Sequence, residues 1–161
     1  MKTETGNTLV VGIGSPRGDD QAGWLIADRL AADCELANVV VKRAASPVHL
    51  LDWLDRVERL VICDACHGLG RVGEVAHWRW PDGEFLNMTW SGTHDLSLPT
   101  VLQLAERLGR LPPSVVVWAI EAATDVSTTT ISAAVEAALP DWIEAVTNHL
   151  HQETTCTNGP W

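Results

Sequence analysis

Several residue types and patterns are scarce in this chain, and each scarcity excludes a class of protein. No apolar run approaches the roughly 18 residues that a membrane-spanning helix needs, so we expect no membrane partner. Basic residues are few: 11 Lys and Arg stand against 21 Asp and Glu, a formal net charge of −10. This charge disfavours a nucleic-acid partner, because binding there requires cations that neutralise phosphates. It is typical of a cytosolic enzyme or of a protein that docks onto a basic surface.

The N-terminal segment 1–7 is polar, and the first apolar run, Leu9–Ile13, is shorter than the roughly 7–15 residues of a secretory h-region. We therefore expect a cytoplasmic protein. Cysteines are also too few for a disulfide scaffold, since only Cys34, Cys63, Cys66 and Cys156 occur. Cys63 and Cys66 form a lone C-x-x-C without the second pair that a structural zinc site uses. We interpret Cys63 as a core residue of a strand and Cys66 as a thiol in the following loop.

The 161 residues fit one domain. We predict a single α/β domain over residues 1–150 and a mobile polar tail over residues 151–161. The connection 65–72 is too short for the crossover between parallel neighbours, so the fourth strand is expected to run antiparallel to the third. The fifth strand is entirely apolar and is therefore expected to be central. The five predicted strands are Leu9–Ile13, Val39–Val41, Leu60–Cys63, Glu74–Trp80 and Val115–Ile120.

Helical patterns separate the strands. The first begins at Asp19-Asp20, where Asp19 is the better candidate for the N-cap. The second begins at Ser46-Pro47, with the serine as cap, and its apolar residues repeat at helical spacing as far as Val57. The last runs from about residue 131 to residue 149, with an interruption at Pro140. The third stops at Gly109, and its predicted inner face consists of Val101, Leu104, Ala105 and Leu108.

Polar side chains fall at the carboxyl edge of the predicted sheet, where open α/β sheets bind ligands. Asp19-Asp20 follow the first strand, Asp64 ends the third, and His94 precedes the third helix. Two carboxylates and an imidazole suit zinc, nickel or a similar ion, and three ligands leave positions open, as in a catalytic or sensing site. Each residue also has a simpler reading: one of the aspartates as a helix cap, Asp64 as a loop cap, and His94 as a surface or capping histidine. Spacing alone leaves these alternatives open.

Other site chemistries find little support. Gly12-Ile13-Gly14 opens like a dinucleotide fingerprint, but the next glycine is Gly18. Asp19-Asp20 then place negative charge where a pyrophosphate would bind. The sequence contains no G-x-S-x-G elbow. Cys66 beside His67 is not a catalytic dyad by adjacency, because such partners meet in space. We therefore expect neither nucleotide binding nor a serine or cysteine nucleophile.

Four segments, in order and at matching spacing, together resemble the hydrogenase maturation endopeptidases, the nickel-dependent proteases that process [NiFe] hydrogenase large subunits. They are residues 12–23 (GIGSPRGDDQAG), residues 64–75 (DACHGLGRVGEV), residues 93–98 (THDLSL) and residues 119–121 (AIE) with the Ser/Thr-rich turn and terminal helix that follow. The similarity extends over about residues 9–150. The sequence departs from the family pattern at Ser15, where asparagine is usual, and at Ala122, where proline is typical. Its eight tryptophans are also unusual.

The resemblance implies a three-layer α/β/α fold of the phosphorylase/hydrolase-like type, with a mixed, mostly parallel five-stranded sheet. It implies a metal site formed by Asp20, Asp64 and His94, with Asp20 and Asp64 as the catalytic candidates and one of them as a base. The metal is nickel already inserted in the precursor of a [NiFe] hydrogenase large subunit, and zinc or cadmium is expected to substitute in vitro. The enzyme, expected to be a monomer, would then remove the C-terminal extension of this partner.

Two other functions are compatible with parts of the sequence. A non-catalytic nickel-sensing scaffold in hydrogenase assembly would keep the fold and the metal site without cutting. A peptidyl-tRNA hydrolase-like enzyme would share the opening Gly12–Pro16. That family's histidine-bearing motif is missing here, however, and the acidic charge disfavours tRNA.

Overall fold

The computed structural model describes residues 7–33, 36, 38–90, 96–124 and 129–155. Within these ranges a six-stranded sheet lies between helices. The strands are β1 (Thr8–Ile13), β2 (Val39–Ala44), β3 (Arg59–His67), β4 (Val75–Arg79), β5 (Thr89–Trp90) and β6 (Ser114–Glu121). The α-helices are α1 (Ala22–Ala31), α2 (Gly83–Asn87), α3 (Leu98–Arg107) and α4 (Ala133–Thr155), and 3-10 helices span Gly18–Gln21 and Pro47–Asp52. No helix in these ranges is long and apolar enough to cross a membrane.

The sheet has the order β2-β1-β3-β6-β4, with β5 paired to the end of β3. Strands β2, β1, β3 and β6 are mutually parallel, whereas β4 is antiparallel to β6 and β5 to β3. The predicted mixed, mostly parallel sheet and the central position of β6 are therefore confirmed. The predicted five strands omitted β5, whose two residues are too short to produce an alternating pattern.

Strand β4 runs antiparallel to β3, as predicted, but it pairs with β6 instead. The loop between β3 and β4 crosses the carboxyl end of β6 to reach the far side. There the N–H of Gly73 donates to the carbonyl of Glu121, and the N–H of Glu121 donates to the carbonyl of Glu74. These two bonds satisfy one backbone donor and one backbone acceptor at the end of the crossing loop.

The sheet separates two apolar layers, because alternate residues of each strand point to opposite faces. On β3, Leu60 and Ile62 pack with α3 and the 3-10 helix 47–52. Val61 and Cys63 pack on the other face with α1 and α4. The three-layer architecture is thereby confirmed. Cys66 belongs to β3 and is fully buried, so its predicted place in a loop was wrong.

The helices differ from the predictions in their details. Neither Asp19 nor Asp20 caps a helix at the start of α1, and Ser46 makes no cap hydrogen bond. The second predicted helix is only the 3-10 helix 47–52, although its proline is at the first position as expected. The inner face of α3 is confirmed at Val101 and Ala105, but Leu104 and Leu108 are exposed, so for them the prediction was wrong. Its buried residues are Leu98, Val101, Leu102 and Ala105. Gly109, the predicted stop, lies two residues beyond the end of the helix and has a φ of 68°.

Helix α4 is continuous through Pro140, so the predicted interruption was wrong. Proline removes one backbone hydrogen bond. A buried stripe on both sides of it, formed by Val135, Trp142, Val146 and Leu150, packs against the sheet and keeps the helix in place. The helix also continues to Thr155, past the predicted domain boundary at residue 150. Residues 156–161 lie outside the described residues, so the mobile tail stays a prediction for them.

The outer edge of β2 carries cations that lie over indole rings. The Nζ of Lys42 is 5.1 Å from the ring centre of Trp53, and the guanidinium carbon of Arg43 is 4.2 Å from that of Trp24. The indole N–H of Trp24 donates to the carbonyl of Ala44 at 2.9 Å. Both cations are therefore stabilised over aromatic rings, and Arg43 also forms an ion pair with Asp28 at 3.6 Å.

Two glycines allow α1 to lie directly on the sheet. A Cβ on Gly12 would overlap the carbonyl oxygen of Gly23, and a Cβ on Gly23 would overlap the carbonyl oxygen of Ile13. The start of α1 is thus in backbone contact with β1, and Gly23 also lies against the carbonyl of Cys63 in β3. This close approach sets the position of the turn 18–21, which precedes the helix.

We expect Gly12→Ala to lower the free energy of unfolding by about 3 kcal/mol, because the added methyl group meets backbone that cannot rotate away. The melting temperature should fall by roughly 6–12 °C. Gly83→Ala is the matched control, since a Cβ on Gly83 meets no atom within 4 Å and the residue lies in α2. Urea unfolding of the three proteins measures the difference. Equal stability of the two variants would contradict the contact.

Candidate functional site

Asp64 lies inside β3 and not at its end, because the strand continues to His67. Pairing between β1 and β3 stops at Gly12 and Cys63, while β5 joins β3 only from Cys66 onward. Asp64 therefore lies between the end of β1 and the start of β5 along β3, and it pairs with Ala119 of β6. Its side chain is 0% exposed, and its Oδ1 accepts the N–H of Ala65 at 2.8 Å. A carboxylate is thus held at the carboxyl edge of the sheet, where β1 has ended.

Asp20 belongs to the 3-10 turn 18–21, which contacts β3. Its backbone closes the turn: its N–H donates to the carbonyl of Arg17, and its carbonyl accepts the N–H of Ser15. Its Oδ1 is buried and has no hydrogen-bond partner within the described ranges. Leaving such an acceptor unpaired costs about 1–3 kcal/mol. The side chain is therefore available for a ligand that supplies a positive charge or a proton.

Asp19 does not cap α1 but connects the first loop to the opposite end of the sequence. Its carboxylate is 6% exposed. It accepts the N–H of Ala123 at 2.7 Å, the N–H of Ser132 at 2.7 Å and the hydroxyl of Ser132 at 2.9 Å. The neighbouring Gln21 donates its side-chain amide to the carbonyl of Thr129 at 2.7 Å. The turn that carries Asp20 is thus fixed to the end of β6 and to the start of α4.

Glu121 is a third buried carboxylate, beside Asp19 and Asp64, and the sequence did not single it out as a site residue. It ends β6, is 7% exposed, and accepts the N–H groups of Gly68 and Leu69 at 3.2 and 2.9 Å. Its partners are more than 50 residues away in sequence, so no local spacing reveals them. The available signal was a carboxylate directly after six apolar residues of a central strand.

The two cysteines of β3 are poor nucleophiles. Burial raises the pKa of the Cys66 thiol to about 12, and the nearby carboxylates of Glu121 and Asp64 add to the shift. Burial, with a smaller contribution from Asp64, raises the pKa of Cys63 still further. The thiolate is the reactive form, so these residues are uncharged and unreactive near neutral pH.

The structure leaves the third predicted ligand untested. His94 lies in the segment 91–95, outside the described residues. Within the ranges that are described, no three His, Cys, Asp or Glu side chains lie close enough together to hold a metal. Asp20 and Asp64 are therefore placed by the structure, on the contacting turn and strand, while the set of three stays a prediction.

The sequence and the fold agree with one protein family. A model of the hydrogenase maturation protease family matches residues 25–149. The chain belongs to the hydrogenase maturation protease family. The matched range includes Asp64 and His94, whereas Asp20 precedes it. Members of this family are endopeptidases that cleave the C-terminal extension of the hydrogenase large subunit, so the predicted family, enzyme class and reaction are confirmed.

Solved structures show the same fold. The chain is 19% identical to the hydrogenase maturating endopeptidase HybD from E. coli, over 91% of this chain and 93% of that one, with a TM-score of 0.73. It is 21% identical to the [NiFe] hydrogenase maturation protease HycI from Thermococcus kodakarensis KOD1, over 92% and 95% of the two chains, with a TM-score of 0.69. A hydrogenase 2 maturation peptidase from a Thaumarchaeota archaeon is 21% identical over 90% and 98%, with a TM-score of 0.65. A search of curated proteins finds no match.

The two adjacent aspartates should respond differently to the same substitution. Asp19→Asn places an amide N–H₂ against N–H and O–H donors, so we expect a loss of about 2–3 kcal/mol in unfolding free energy. Asp20→Asn should leave stability unchanged or slightly higher, because its Oδ1 has no partner to lose. Urea unfolding in the presence of a chelator compares the two variants with the wild type. An equal loss of unfolding free energy in both variants would contradict a structural role for Asp19 and an unpartnered Oδ1 in Asp20.

Replacing the cysteines should leave processing intact, because the two described thiols are buried and protonated. We expect a variant that lacks all four cysteines, and also Ser15→Ala, to keep substantial cleavage of a nickel-loaded precursor. Circular dichroism checks that each variant is folded. Loss of cleavage in a folded Cys66→Ala variant would indicate a thiol mechanism instead.

Proposed function

We propose that this chain removes the C-terminal extension from the precursor of a [NiFe] hydrogenase large subunit after nickel has been inserted. The observation that supports it is the buried, unpartnered Oδ1 of Asp20, on a turn that contacts the strand of Asp64. Family membership supplies the reaction class. The sensing of nickel and the residues that do so are part of the proposal.

Asp20, Asp64 and His94 are the residues that would hold the nickel of the substrate. An acceptor oxygen that is buried without a partner fits a cation, and an oxygen-rich set completed by one imidazole suits nickel or zinc. Trp90 pairs with Cys66, two residues beyond Asp64, and His94 follows Trp90 by four residues in the sequence. His94 is therefore only a few residues away in sequence from a residue that pairs with the strand of Asp64.

In the proposed reaction, the residues of this chain hold two carboxylates in place and accept a proton. The bound ion would act as a Lewis acid toward the peptide bond that is cut. Asp64 is fixed by the N–H of Ala65, and Asp20 by a turn that Asp19 attaches to β6 and α4. Either carboxylate has an oxygen that can accept a proton as general base. A cation in the substrate would stabilise the two carboxylates in their charged form, which would link cutting to prior metal insertion.

We also propose that the reaction takes place in the cytoplasm and that the enzyme acts as a monomer on the hydrogenase precursor. Cys63 and Cys66 are free and buried in the described structure, which suits a reducing compartment. Zinc or cadmium would substitute for nickel in vitro.

The experiment is a cleavage assay on nickel-loaded and nickel-free precursor, with wild type and the variants Asp20→Asn, Asp64→Asn and His94→Ala. Wild type should cut only the loaded precursor, and each variant should lose cutting by at least about 100-fold. Titration calorimetry with zinc or nickel measures binding separately. Binding without any cutting by the wild type would indicate a sensing scaffold, and equal metal affinity in wild type and His94→Ala would contradict the ligand assignment.

Thermal melts test whether Asp64 is a ligand or only a structural cap. In chelator, Asp64→Asn should be as stable as wild type or more so, since asparagine still accepts the N–H of Ala65 and one charge is removed. Metal at 100 times its Kd should stabilise wild type by about 2.7 kcal/mol, a shift of about 5–10 °C. The variant should lose this shift. A variant destabilised in chelator but shifted fully by nickel would show that Asp64 is structural.

A further inference from the structure

Strand β2 is an outer strand of the sheet, and within the part of the chain that the structure describes no strand pairs with its outer side. It is six residues long and pairs with β1 over its full length. Val40, in its first half, is 56% exposed. An open edge of this kind presents backbone N–H and C=O groups, to which an extended peptide can add as a further strand.

The carboxyl end of β2 is level with the candidate site. Gly12 of β1 pairs with Arg43 on one side and with Cys63 on the other, so Arg43 and Cys63 lie in one row across the sheet. Asp64 is the next residue of β3 after that row. A peptide that is cut beside Asp64 can therefore reach the outer side of β2 by passing over the ends of β1 and β2.

The distance that such a peptide has to cover is short. Neighbouring strands are about 4.8 Å apart, so a strand added to β2 would lie three spacings, roughly 14 Å, from β3. An extended chain advances about 3.3 Å per residue, so about four or five residues cover this distance. The peptide would then continue along β2 from Ala44 toward Val39, antiparallel to it, because it arrives from the carboxyl edge.

The side chains at this end of β2 favour an acidic peptide. Lys42 and Arg43 are exposed cations in a chain whose net charge is −10. Arg43 forms an exposed ion pair with Asp28, whereas Lys42 lies over the ring of Trp53. These cations repel a basic strand, such as β2 of a second copy, and attract a strand with carboxylates opposite them.

The other outer strand, β4, matches such a peptide less well. At the carboxyl edge of the sheet β4 begins at Val75, directly after the carboxylate of Glu74. Its own cation, Arg79, is at the far end of the strand, opposite Val116. An acidic peptide that leaves the candidate site is therefore better matched to β2 than to β4.

We propose that the outer side of β2 binds the C-terminal extension of the hydrogenase precursor as an added antiparallel strand. This inference rests on the proposed function, since it takes the cut peptide bond to lie beside Asp20 and Asp64. It also specifies the chemistry of the extension. An acidic side chain should lie opposite Lys42, and an apolar side chain two residues further on should lie opposite Val40, because alternate residues of a strand share a face.

The first test is the rate of cleavage of the nickel-loaded precursor, measured as a function of precursor concentration. Lys42→Glu should raise KM about 5-fold and leave kcat unchanged, because a contact remote from the cut bond is the same in the ground state and the transition state. The KM of the wild type should also increase with salt more steeply than that of the variant. Arg110→Glu, the same charge change at an exposed residue beyond the end of α3, is the matched control and should keep the wild-type KM.

Amide hydrogen exchange tests the added strand itself. The Asp20→Asn variant, which should not cut, is mixed with a saturating amount of nickel-loaded precursor. Amides of residues 39–44 that point away from β1 should exchange more slowly than in the free variant, because the extension now accepts their hydrogen bonds. A nickel-loaded large subunit that lacks the extension should give no such protection.

A wild-type KM in folded Lys42→Glu, or no protection of residues 39–44 by the precursor, would overturn the proposed docking strand. Lys42→Ala, with a smaller expected rise in KM, serves if Lys42→Glu fails to fold. Protection of all six amides in the free chain would also overturn the proposal, since another segment of this chain, or a second copy if the protection grows with concentration, would then occupy the edge. Failure of the wild type to cut the loaded precursor would instead overturn the proposed function.

Discussion

The hydrogen bonds of Asp19 are the interaction on which the candidate site depends. One buried carboxylate joins the loop after β1, the end of β6 and the start of α4, three segments that are distant in sequence. A buried charge that accepts three hydrogen bonds has one favourable position, so the turn beside it cannot shift without leaving polar groups unpaired. Asp20 takes its position from this neighbour, although its own Oδ1 is left without a partner. The same local sequence thus supplies one rigid and one available carboxylate.

Five of the six strands and their order in the chain were predictable, because each of these five carries a run of β-branched and apolar residues between polar connections. The pairing of β4 was not, since its neighbour β6 lies more than 30 residues further along the chain. The helical spacing of apolar residues was also not enough to predict the whole inner face of α3. Leu104 and Leu108 fit that spacing but are exposed, whereas Leu98 and Leu102 pack inward. Pro140 failed as a breaker because packing on both sides outweighs one lost hydrogen bond.

For the site, the sequence predicted Asp64 and Asp20 through their positions after strands and through family resemblance. It did not predict what supports them. Asp19 looked like a local helix cap, and its true partners are more than 100 residues away. Glu121 likewise bonds across more than 50 residues. A residue type reveals that it needs donors, but only the fold shows where those donors come from.

The cations of β2 have a consequence for the behaviour of the protein in concentrated solution. An open sheet edge exposes unpaired backbone groups and is a template for aggregation. The edge here also carries Val40, which is 56% exposed. Lys42 and Arg43 lie over Trp53 and Trp24 beside this edge, so a second strand that approached would have to desolvate two positive charges. Together with the net charge of −10, which makes whole molecules repel one another, this arrangement opposes fibril-like stacking.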